Sequence, residues 1–283
     1  MGYEYYRGKQ LVIIHFLAEG GTEFKFIEYV LIPYLINKNN NLNYSVGIHN
    51  YIKNLQGATG LSPISKFYEI TLNTLLGYQK KTDALIITSI IDLVGQEQHF
   101  CSANATLVDQ NLSAQYPVIL NDSTLSSTQK AKKIEDLLFC GLDGYLNSYL
   151  LRHQLSDNDS LYLRDNLHKV KYHIQPHEFE ALFFSDLERF FLNSVPNNLN
   201  IRADIHNLQK QVSHYLQNTE RCESINNNRY PACWLEDYLG YDKKSGIQYQ
   251  HILYNYDLYQ LINIIREHCP HFNNWVDYLC QIS

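Results

Sequence analysis

No Cys-x-x-Cys pair occurs anywhere in this 283-residue chain, and its six cysteines (Cys101, Cys140, Cys222, Cys233, Cys269 and Cys280) stand far apart. That spacing excludes a disulfide frame and the usual zinc modules, and it reads as reduced thiols in the cytosol. No apolar run is long enough to span a bilayer. The N-terminal stretch carries Glu4, Arg7 and Lys9 and holds no signal-peptide core, so the expected location is cytoplasmic, with no membrane partner. Basic residues are not in excess: Lys+Arg 23 stand against Asp+Glu 29, a formal net charge of -6. A strongly basic nucleic-acid footprint is thereby absent overall, though a local patch is not excluded. The G-x-x-x-x-G-K-[ST] loop that cradles nucleotide phosphates is missing, which ranks a nucleotide-handling phosphotransferase last. There are no internal repeats or low-complexity tails.

What is present is a series of short apolar runs. With 45% hydrophobic residues the chain can bury a sizeable core, as one large domain or a domain with an appendage. Residues 11–17, Leu-Val-Ile-Ile-His-Phe-Leu, are apolar on both faces, the pattern of a central strand covered by helices on each side. Glu19-Gly20-Gly21-Thr22-Glu23 breaks the run, with Thr22 the expected N-cap, and a helical period follows over 24–35. Further strands are expected at 44–52, 84–91 and 170–174. Ser62-Pro63 opens a helix carrying Ile64 to Leu76, and others are expected at 132–153, in the segment after His177, at 203–216, 257–268 and 272–280. Residues 95–129 read as an irregular insertion or flap, and 222–247 as a long loop. The fold class is α/β, a mainly parallel sheet flanked by helices. Residues 1–195 form the core, and a helical part, 196–283, packs on it.

Three apolar strands each end in acid. Glu19 and Glu23 follow the first, Asp92 closes the run Ala84 to Ile91, and His177-Glu178-Phe179-Glu180 follows 170–174. Oxygen ligands converging at one end of a sheet suit Mg²⁺ or Mn²⁺, and such a cation activates water against phosphodiesters. Plainer roles stand beside this one. Glu19, Glu178 and Glu180 could each favour a helix N-terminus, Glu23 could be a solvated helix residue, and Asp92 could cap a turn. Residues i and i+2 point apart on a helix, so only one of Glu178 and Glu180 is expected at a metal, Glu178 by preference. His177 could orient a carboxylate or transfer a proton. Phe183, Phe184 and Phe190 are expected in the core. Lys130, Lys132 and Lys133 read as a solvated helix start. His268-Cys269-Pro270-His271 has no supporting ligand pair elsewhere in the sequence, which argues against zinc.

Glu19-Gly20-Gly21-Thr22-Glu23, Ile90-Ile91-Asp92, His177-Glu178-Phe179-Glu180-Ala181-Leu182-Phe183-Phe184 and the closing Cys269-Pro270-His271-Phe272 with Trp275 resemble the motifs of an uncharacterised bacterial Toprim-like family. Its members read E-G-x-T-E, a strand-end D and H-E-F-E-A-L-L-F. The wider relationship is to the Toprim domains of topoisomerases, primases and overcoming-lysogenization-defect nucleases. The resemblance implies a Rossmann-like Toprim sheet, Mg²⁺ held by Glu19 and Asp92, and cleavage of DNA or RNA. It also implies a phage-defence setting beside an ATPase, and it leaves self-association open. The chain departs from that pattern in two places. Asp92-Leu93-Val94 offers one aspartate where many Toprim sites have Asp-x-Asp. Pro231-Ala232-Cys233-Trp234 stands where relatives carry a basic S-K-R stretch, with Lys243 and Lys244 the nearby replacements. These departures support a second reading, a non-catalytic Toprim-like subunit that binds or regulates an ATPase complex.

Overall fold

The computed structural model of the protein describes residues 12–38, 42–48, 63–79, 84–93, 107–192, 200–225, 230–241 and 257–281. Its centre is a parallel sheet of β1 (Val12–Ala18), β2 (Leu42–Ile48), β3 (Ala84–Asp92), β4 (Val170–Lys171) and β5 (Ile174–Gln175). The order is β2-β1-β3-β4, with β5 pairing the end of β3, and every pairing is parallel. All seven residues of β1 are buried, as a strand covered on both faces requires. Its side chains alternate between two cores. Val12, Ile14, Phe16 and Ala18 join one apolar cluster, and Ile13 and Leu17 join the other.

The connections follow from that alternation. From β1 the chain runs through α1 (Gly21–Phe26), a π-helical segment (Ile27–Leu31) and α2 (Ile32–Lys38) across the first face to β2. From β2 it returns through α3 (Pro63–Gly77) across the opposite face to β3, on the other side of β1. The sheet therefore reverses winding direction between β1 and β3, and the C-terminal ends of these two strands flank the crevice that such a reversal opens. The second face is completed by α4 (Leu107–Asn121), α5 (Ser127–His153) and α6 (Asp157–Asn166). The first is completed by α7 (Leu187–Phe191), α8 (Ile201–Leu216), α9 (Pro231–Leu239), α10 (Leu258–His268) and α11 (Pro270–Cys280). The last four helices thus share one core with the sheet.

Several sequence expectations need correction. Residues 107–121 of the expected insertion form a helix despite Pro117, because Leu112, Tyr116 and Ile119 are buried and the Tyr116 hydroxyl donates to Leu93 O at 2.5 Å. The rest of 95–106 lies outside the described residues. The expected loop 222–247 contains α9, which has proline in its first turn and ends on Gly240 in the left-handed region, φ 66. The strand expected at 170–174 splits into β4 and β5, since Tyr172 and His173 leave the ladder. Gly20, not Thr22, is the N-cap of α1, in extended backbone and without a side-chain cap. A Cβ on Gly20 would stand 2.8 Å from Glu23 Oε2, so the missing side chain lets that carboxylate fold back over the turn.

Candidate metal centre

The parallel register decides where the acids meet. Ala18 pairs with Ile90 and Asp92 with Gln175, so β1, β3 and β5 end at one edge of the sheet. Glu19 follows directly: its N–H donates to Ile90 O at 3.3 Å, and its Oε2 accepts from the Asp92 N–H at 3.0 Å. Glu23 is buried one helical turn later. Asp92 is buried too, and its Oδ1 accepts from the Phe179 N–H at 2.6 Å.

Glu178 lies in extended backbone, and the residues after it, Phe179–Ser185, form a 3-10 helix. This corrects the expected divergence of Glu178 and Glu180. That argument assumed an α-helix, whereas here one residue precedes the helix and the other lies in its first turn. Ligand oxygens of Asp92, Glu178 and Glu180 all lie within 4.8 Å of one another. Glu180 is fully buried, its Oε1 accepting from the Tyr241 hydroxyl at 3.1 Å. Half-buried Glu178 accepts from the Ala232 N–H at 3.0 Å through Oε2, at the N-terminus of α9, where a carboxylate is favoured. Every donor in the trio is a carboxyl oxygen, the set that hard divalent cations take. Glu19 and Glu23 fall outside the trio, and Glu19 borders it through the Asp92 N–H.

His177 directly precedes Glu178. It sits in the left-handed region, φ 64, which a histidine adopts only at some cost, about 1–3 kcal/mol. The ring is buried, with Nε2 2.5 Å from Ser127 Oγ at the start of α5. That helix start is itself fixed, because Glu220 accepts from the Ser127 and Thr128 N–H groups at 3.1 and 2.7 Å. Burial lowers the His177 pKa to about 4, so the imidazole is neutral near pH 7.

The remaining expectations are placed as follows. Phe183, Phe184 and Phe190 are buried in the first core. Lys130 donates to Leu120 O at 2.8 Å, tying α5 to α4, and Lys132 donates to Asp136 at 2.6 Å within α5. Lys243 and Lys244 lie outside the described residues. A second group that sequence spacing did not signal is formed by Glu135, His173 and His271, drawn from three distant segments.

No curated protein and no solved structure matches the chain. Residues 149–280, just under half of the chain, match the model of a family described as a domain of unknown function (DUF4276), and it is to this family that the part carrying Glu178, Glu180 and the last helices is similar.

Proposed function

We propose that the protein is a Toprim-related, Mg²⁺- or Mn²⁺-dependent nuclease that hydrolyses phosphodiesters of DNA or RNA, working beside a partner ATPase in anti-phage defence in the cytoplasm. The observation that carries this reading is the convergence of Asp92, Glu178 and Glu180 at the point where the sheet reverses direction, the usual ligand crevice of open α/β sheets. When bound there, the cation would neutralise the phosphodiester charge and acidify the attacking water. Asp92, Glu178 and Glu180 would hold it. Glu19 fixes the strand end that presents Asp92 and its carboxylate charge would help to hold the cation, and neutral His177 fixes the backbone that presents Glu178. The ATPase partner, the defence setting and the Toprim kinship rest on the motif resemblance alone.

The test is cleavage of plasmid DNA, single-stranded DNA and tRNA by the purified chain with Mg²⁺ or Mn²⁺, beside Asp92→Asn. Cutting that needs the metal and vanishes in the variant is the expected result; equal cutting by the variant would overturn the site. One observation favours the second reading, a non-catalytic subunit. Asp92, Glu178 and Glu180 each brace a neighbouring segment, through Phe179 N–H, Ala232 N–H and Tyr241 OH. On that reading no metal yields cleavage even with the ATPase added, and the complex forms equally with Glu19→Gln.

A further inference from the structure

A different chemistry gathers at the open edge of the sheet. Glu135 on α5, His173 between β4 and β5, and His271 in the first turn of α11 are all buried, and one ligand atom from each lies within 4.8 Å of the others. His271 Nε2 is 2.8 Å from Glu135 Oε1, and His173 Nδ1 is 3.6 Å from the same oxygen. Ligands held at about 2.0–2.2 Å around a tetrahedral ion stand about 3.3 Å apart, and both Glu135–histidine distances lie within about half an ångström of that spacing.

The hydrogen bonds behind His173 give a second, independent indication. Glu223 is buried and accepts from the His271 and Phe272 N–H groups at 2.7 and 2.9 Å. It also accepts from Gln175 Nε2 at 3.4 Å, which turns the Gln175 carbonyl oxygen towards His173 Nε2, 3.3 Å away. That ring nitrogen is therefore the protonated one, and Nδ1 presents a lone pair towards the Glu135 carboxylate. The same carboxylate oxygen accepts from the Ile174 N–H at 3.0 Å and faces His271 Nε2 at 2.8 Å, so a cation held there would take the place of the His271 proton. An outer partner that fixes the tautomer in this way is the usual companion of a metal-bound imidazole. The Trp275 ring, stacked on His173 with centroids 4.4 Å apart, holds the imidazole plane. A cavity of about 260 Å³ adjoins the group, and Lys132 and Lys171 also line it.

We infer that Glu135, His173 and His271 form a binding site for a transition-metal ion of the Zn²⁺ class, with a fourth position open to the cavity. Two nitrogens and one carboxylate oxygen form a softer set than the all-oxygen trio, so the two sites select different metals. Lys171 on the cavity wall favours water or a small anion in the fourth position, while Lys132 is held by Asp136 and lies 3.8 Å from Glu135 Oε2. The ion would tie α5, the sheet edge and α11 together, and it does not depend on the nuclease reading.

The experiment uses the full-length chain stripped with a chelator, titrated with Zn²⁺ alone and, in parallel, with Co²⁺. One Zn²⁺ per chain is expected for the wild type and for Asp92→Asn, with affinity at least about tenfold weaker in His271→Ala. The Co²⁺ form of the wild type should give proton NMR signals from two shifted, exchangeable imidazole N–H groups, a readout that needs no variant to fold. Absence of stoichiometric uptake, or uptake without shifted imidazole signals, would overturn the site and leave a buried His–Glu ion pair. Loss in Asp92→Asn with retention in His271→Ala would move the ion to the acidic trio and overturn it equally.

Discussion

The backbone N–H of Asp92 donates to Glu19 Oε2 at 3.0 Å, joining the ends of two adjacent strands across 73 positions of sequence. The bond needs an acceptor oxygen but not a charge, so the two can be separated. Glu19→Gln keeps an acceptor and should unfold like the wild type, while metal-dependent cleavage falls to background. Glu19→Ala should lose cleavage and also about 1 kcal/mol of stability in urea unfolding. Full cleavage by Glu19→Gln would remove the carboxylate's charge from the proposed mechanism.

That pair also shows how far the sequence could be read. Glu19 and Asp92 were recognisable because each ends an apolar run too short and too β-branched for a helix, and parallel pairing then brings the run ends to one edge. The alternation of Val12, Ile14 and Phe16 against Ile13 and Leu17 was hidden, since all are apolar and only the fold assigns them to separate cores. Phe179 to Phe184 are buried on every side, leaving no period to tell a 3-10 helix from an α-helix. Helix α9 was legible in principle, from Pro231 at its start and Gly240 just past its end, but polar neighbours obscured both signals. Glu135, His173 and His271 form no motif. Their meeting is purely tertiary.

His15 offers a test of pH dependence. Burial in the middle of β1 lowers its pKa from the ordinary 6.5 to about 4. A depressed histidine means the unfolded chain binds the proton first. The contribution is therefore complete above pH 6.5 and is lost as pH falls from there to about 4, reaching about 3 kcal/mol. His15→Leu should flatten the stability curve over that window, as read by urea unfolding at a series of pH values. An unchanged slope would show that His15 is not held neutral by the fold.

Thr88 is the hinge of a buried polar chain. Its hydroxyl donates to Lys171 O at 2.6 Å and accepts from Trp275 Nε1 at 2.8 Å. Thr88→Val keeps the shape and leaves the indole N–H buried without that acceptor, so a loss of about 1–3 kcal/mol is expected in denaturant unfolding. Thr88→Ser should recover most of it. If valine were neutral, the indole bond would contribute nothing net.

Gly141 lies inside α5, where a glycine weakens a helix, and packing explains it. A Cβ there would overlap the Tyr68 hydroxyl and stand 2.8 Å from Tyr68 Cζ. Gly141→Ala gains up to about 1 kcal/mol in helix propensity. Against that, overpacking in a buried contact costs about 1–3 kcal/mol, and the net change should be a lower melting temperature. Adding Tyr68→Phe removes the overlapping hydroxyl and should return part of the loss. A raised melting temperature in the single variant would mean that α3 and α5 separate freely.

Tyr241 reaches Glu180 from just beyond α9, donating its hydroxyl to Oε1 at 3.1 Å while its ring packs edge-on against Phe183 and Phe191. Phenylalanine would keep those ring contacts and remove only the donor, so the fold should be retained. The donor orients the Glu180 carboxylate and takes no part in bond breaking, which makes Tyr241 a positioning residue on the nuclease reading. Tyr241→Phe should therefore raise the Mg²⁺ concentration needed for half-maximal cleavage by about 10-fold or more, with the rate at saturating Mg²⁺ preserved. A fall in the saturating rate at unchanged metal requirement would instead give the hydroxyl a direct role towards substrate. No change in either quantity would show that Glu180 braces the core and does not ligate the cation.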